Sequence, residues 1–129
     1  MVTDGISATV PEELDRQLRN AGLARTAPGK PVYEWADICR AGERLLKQGN
    51  PAAALFFFNI AKDRTPGDYR PWLQLGMLSR KAREFQAAEY FLRQALVKEP
   101  KNEMVRKNLA ELYRETGHPA AALAILTSA

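Results

Sequence analysis

An eight-residue segment, Gln48-Gly49-Asn50-Pro51-Ala52-Ala53-Ala54-Leu55, returns sixty-eight residues later as Thr116-Gly117-His118-Pro119-Ala120-Ala121-Ala122-Leu123. Sixty-eight is twice thirty-four, so an intermediate copy is expected around Ala82 to Tyr90. There Glu84-Phe85-Gln86-Ala87-Ala88 supplies the same turn followed by small residues. Three copies then share one register, over residues 35–68, 69–102 and 103–129. A chain of equal units must bury each unit against the next, and about three are needed before such a stack is stable.

The register shows what the units require. Gly42, Gly76 and Ala110 share one column, Ala54, Ala88 and Ala122 a second, and Ala61, Ala95 and Ala129 a third. Phe58, Leu92 and Leu126 form a bulky column between the last two, and Pro66 and Pro100 close the first two units, where proline stops a helix. Small residues recur where helices must approach closely. Apolar spacing at Trp72, Leu75, Met77 and Leu78, and again from Phe85 to Leu96, suits helices. Asp68 can cap one, with Pro71 tolerated in its first turn. The expected helices run over about 33–47, 51–63, 69–82, 85–98, 103–116 and 119–128.

The chain resembles the tetratricopeptide repeat family, whose thirty-four-residue pattern places Trp, Leu-Gly, Tyr, Ala, Phe, Ala and Pro at fixed spacings. The middle copy carries Trp72, Leu75, Gly76, Ala88, Ala95 and Pro100 at those positions, with Ser79 for the usual Tyr and Leu92 for Phe. The first copy has Ile38 for Trp and Leu45 for Tyr. The third has Arg106 for Trp but keeps Leu109 and Tyr113. The resemblance covers about residues 35–129. It implies an all-α, right-handed α-solenoid of three helix-turn-helix repeats that holds a peptide or protein segment in its concave groove.

Composition narrows the setting. A chain of 129 residues fits one domain, able to bury roughly two thirds of its unfolded surface. The longest uncharged apolar run, Pro51 to Ile60, falls short of the ~20 residues of a membrane span, so no membrane insertion is expected. Met1 to Val10 lacks a basic start and an apolar core, so a cytoplasmic location is the default. One cysteine and one histidine leave no internal disulfide and no metal site, and no cofactor is expected. The formal charge of +4 is modest and dispersed, which argues against nucleic acid as a partner.

The ends raise separate expectations. Thr9-Val10-Pro11-Glu12 has the spacing of a capping box, and Leu14 and Leu18 would face one way on an extra N-terminal helix over 10–21. A proline-containing link, Thr26 to Pro31, would join this 1–34 segment to the repeats. At the other end Leu123, Ile125 and Leu126 form an apolar face with no polar capping helix after it. Contact with another copy or with a partner through that face, truncation, or a tolerated exposed strip are the three readings.

In the family the first helix of each pair lines the concave side. The resemblance therefore implies a groove lined by Ala36, Cys39, Arg40, Glu43, Leu46 and Lys47, by Arg70, Leu73, Gln74, Met77, Arg80 and Lys81, and by Met104, Lys107, Asn108, Glu111, Arg114 and Glu115. Seven of these are basic and three acidic. Such a mixture suits a segment carrying apolar and acidic residues, because methionine adapts to varied surfaces and arginine grips carboxylates. The bland alternative is a merely solvated face. The family's two-carboxylate clamp for chaperone C-termini does not fit, since Cys39, Glu43, Gln74, Met104 and Asn108 stand where it wants other residues. The expected function is a binding scaffold, adaptor or chaperone-like, of the kind found in bacterial secretion or assembly systems. The alternative is a structural repeat that self-assembles. An enzyme is not expected, because no nucleophile, base and orienting group can be assembled from this inventory.

Overall fold

A computed structural model describes residues 5–6, 16, 25–27 and 30–127, with side chains described for Arg16 and from Ile38 to Thr127. Six helices follow one another: α1 Trp35–Lys47, α2 Pro51–Arg64, α3 Tyr69–Lys81, α4 Phe85–Lys98, α5 Glu103–Glu115 and α6 Pro119–Thr127. Each start and stop falls close to its expected position. Helices pair consecutively as α1 with α2, α3 with α4 and α5 with α6. From Trp35 onward the fold is all-α, built of helical hairpins. Two compact units result, residues 1–65 and 66–129.

The turn chemistry repeats with the sequence. Each first helix ends on a residue with positive φ: Gly49 at 80°, Arg83 at 62° and Gly117 at 81°. The next amide then donates back five residues, from Asn50 to Leu45 O (2.9 Å), Glu84 to Ser79 O (2.9 Å) and His118 to Tyr113 O (2.7 Å). This closure satisfies carbonyls that a helix end would otherwise leave bare. The following helix starts at once. The side chains of Asn50, Asp68 and Asn102 cap their helices by accepting from Ala53 N, Arg70 N and Val105 N.

Small and bulky columns meet as the register requires. A methyl group added at Gly42 would come within 2.6 Å of the Phe58 ring, and one at Gly76 within 2.6 Å of Leu92 Cγ. In unit 1, Ala54, Phe57, Phe58 and Ala61 are all fully buried. In unit 2 the core joins Trp72, Ala88, Leu92, Ala95, Val105, Leu109, Ala110, Leu112, Tyr113 and Ala122. Ala129, the last member of its column, lies outside the described residues.

Ahead of the helices the structure departs from the expected link. Strands β1 (Gly5–Ile6), β2 (Arg25–Ala27) and β3 (Lys30–Glu34) form an antiparallel sheet in the order β1-β3-β2. Ala27 pairs with Lys30, so only Pro28 and Gly29 separate the two strands. A Pro-Gly pair is a turn signal as much as a linker signal. Among the described residues Pro31 pairs with Thr26 of β2, while β1 pairs with Tyr33 and Glu34. Apart from Arg16, the helix expected over 10–21 lies outside the described residues.

Candidate functional site

The first-helix positions sort into three groups. Cys39 (1% exposed), Leu73 (3%) and Asn108 (8%) are buried, so they belong to the packing and not to an open groove. Asn108 instead donates its amide to Met104 O at 2.8 Å within α5. Met77, Gln74, Glu43 and Leu46 are half-buried. The side chain of Ala36 lies outside the described residues.

A second group is already engaged. Arg70 grips Asp68 through Nη2 at 2.6 Å and through Nε at 3.1 Å, which anchors the cap of α3. Burial pushes the Asp68 carboxyl up, but the Arg70 hydrogen bonds and charge more than offset it, leaving the pKa below its ordinary 3.8. Arg80 reaches from α3 to α5, where Nη1 donates to Glu111 Oε2 at 2.8 Å and Nε lies 3.6 Å from Glu115 Oε1. That hydrogen bond holds the Glu111 carboxyl below its ordinary 4.5, with the nearby charges of Arg80, Lys107 and Arg114 acting in the same direction. The expectation that Arg80 stands ready for a partner's carboxylate is therefore corrected, because it has carboxylates of its own.

The third group is exposed. Arg40 and Lys47 are exposed in unit 1, and Lys81, Met104, Lys107 and Arg114 in unit 2. Met104 is 58% exposed. Met104, Lys107, Glu111 and Arg114 recur at three- and four-residue spacing, so they form one stripe along α5. Among the described residues, Lys107 and Arg114 have no carboxylate within ion-pair distance. Beside them lies a hollow of about 440 Å³ lined by Glu103, Arg106, Lys107, Glu111, Arg114 and Leu126.

Other polar side chains hold the repeats together. Arg106, at the position the family gives to Trp, donates to the carbonyls of Ile125 (3.1 Å) and Leu126 (2.9 Å) and so ties α5 to the end of α6. Trp72 at the same position one repeat earlier donates Nε1 to Pro66 O at 3.0 Å, with Lys98 Nζ 4.8 Å over its ring. Tyr113 donates to Glu89 at 2.9 Å and accepts from Arg93 at 3.0 Å, joining α4 to α5. Burial, first, and the bond to Glu89 push its phenol above the ordinary 10.0. Only the Glu89–Arg93 spacing could have been read beforehand; the cross-repeat partners carry no local signal. The apolar face at the far end is open at Leu123 (62% exposed) and Leu126 (40%), while Ile125 is half-buried.

Paired helices with small residues at their contacts and charged stripes on their first helices define a helical-repeat interaction protein. Residues 79–129 match the family described as Tetratricopeptide repeat, and this part of the chain belongs to that family. It is 31% identical over 88 residues to the PEX5-related protein of Homo sapiens, covering 68% of this chain and 14% of that protein. To the PEX5-related protein of Mus musculus it is 30% identical over 88 residues, covering 68% of this chain and 16% of that protein. The chain thus spans less than a fifth of the length of these curated relatives. The family's repeats are non-catalytic and serve protein–protein interaction. Among the described residues no helix is long and apolar enough to cross a membrane.

Proposed function

We propose that the first-helix face of residues 66–127 binds an acidic, partly apolar segment of a protein partner, in an adaptor or chaperone-like role. The observation that carries this reading is the α5 stripe, where Lys107 and Arg114 are exposed and unpaired beside the exposed Met104. Seven residues of helix set the two cations about 10 Å apart. Carboxylates three positions apart on a peptide in the polyproline II conformation lie on one face and span a similar length, about 9 Å.

The test uses a fluorescent peptide with two glutamates three positions apart and leucines between them. Lys107→Glu combined with Arg114→Glu weakens binding about tenfold or more, since each reversal replaces an attraction of a few tenths to one kcal/mol with a repulsion. Equal affinity for the altered and unaltered proteins would sink the reading.

A second reading rests on Leu123. It is exposed at the register position that carries Glu89 one repeat earlier, and with Ile125 and Leu126 it offers an apolar face for a second copy. Light scattering across a concentration series separates the two. Concentration-dependent dimers abolished by Leu123→Glu support self-association, and a monomer throughout excludes it.

A further inference from the structure

Glu111 occupies an unusual place on α5. It follows Lys107 by four residues and precedes Arg114 by three, the two spacings at which helix side chains meet. On an isolated α5 it would be the natural counter-ion of both cations. In the folded protein it turns to the neighbouring repeat, where Arg80 holds it at 2.8 Å and also lies within 3.6 Å of Glu115. Glu111 and Glu115 are themselves one turn apart and would repel each other, so one guanidinium between them relieves that repulsion as well.

We infer that Arg80 is a positioning residue for recognition: by drawing Glu111 and Glu115 across to α3, it keeps Glu111 from closing an ion pair with Lys107 or Arg114 and so leaves both cations without a direct carboxylate contact, available to the carboxylates of an acidic partner. The inference rests on the reading of the α5 stripe given above and assigns its specificity to a residue that does not touch the partner. An incoming acidic segment then displaces no ion pair, since the pair has been formed elsewhere. Arg80, Glu111 and Glu115 stay together in the complex. Without Arg80, Glu111 falls back between the two cations and competes with the peptide.

The experiment uses the same diacidic peptide and the full chain. Arg80→Met, which keeps the aliphatic stem and removes the charge, weakens binding about three- to fivefold, the range of an exposed charge pair. Adding Glu111→Gln to Arg80→Met restores affinity to within about twofold of the unaltered protein. Arg80→Lys, which keeps a cation beside Glu111, also stays within about twofold. If the double variant binds as weakly as Arg80→Met, Arg80 either touches the peptide or merely aligns the helices, and the inference fails. It fails equally if Arg80→Lys loses as much as Arg80→Met. Insensitivity to Lys107→Glu and Arg114→Glu, by contrast, would remove the underlying reading of the stripe whatever Arg80 does.

Discussion

At the scale of single residues, the thirty-four-residue register is a statement about backbone and volume. Gly49, Arg83 and Gly117 take the same left-handed turn, and only the middle repeat does so without glycine. Open space surrounds Gly117, so Gly117→Ala tests backbone strain alone and lowers stability by about 1 kcal/mol in a urea melt. Arg83→Gly relieves that strain but loses the stacking of its guanidinium 5.5 Å over Phe85 and gains unfolded-state freedom. A gain no larger than about 1 kcal/mol follows. Gly76 is constrained differently, by Leu92. Gly76→Ala improves helix propensity yet overpacks the α3–α4 contact, and a net loss of at least about 1 kcal/mol is expected. These columns were legible in the sequence because volume leaves a periodic trace. Cys39, Leu73 and Asn108 were misplaced because a first-helix position says which way a side chain leans, not how deeply its neighbours cover it.

At the scale of elements, helix boundaries were legible because caps and stops are local. Asp68 announces the start of α3 within two residues of the amide it caps, and the structure adds Asn50 and Asn102 in the same role. The α3 cap carries a pH signature. Asp68 is stabilised in its charged form by Arg70, and Glu111 by Arg80, so both carboxyls titrate lower when folded than unfolded. Their contribution is present above the ordinary values of 3.8 and 4.5 and is lost as pH falls through the lowered folded values. Urea midpoints therefore decline as pH drops below about 4.5, and Asp68→Asn together with Glu111→Gln flattens that decline. A slope unchanged in the double variant would contradict this assignment. The β2–β3 pairing was not legible as strands, since a Pro-Gly step between short segments serves a hairpin and a linker equally well.

At the scale of the whole molecule, what the sequence could not convey is which charges cancel. Seven basic and three acidic groove positions suggest a general attraction for acidic partners. Folding distinguishes them by forming Arg70–Asp68 and Arg80–Glu111, the latter between side chains thirty-one residues apart. Long-range pairs of this kind leave no periodic trace, because they depend on how one hairpin settles on the next. Lys107 and Arg114 on α5 are among the exposed cations that remain, and partner affinity should weaken as salt rises from low to physiological ionic strength. The most direct measurement is an amide chemical-shift map recorded while the diacidic peptide is added to labelled protein. The account predicts that the largest changes cluster on α5 around Met104, Lys107 and Arg114, with Glu89 and Arg93 unmoved. Changes centred on the α4–α6 side, or none at saturating peptide, would contradict it.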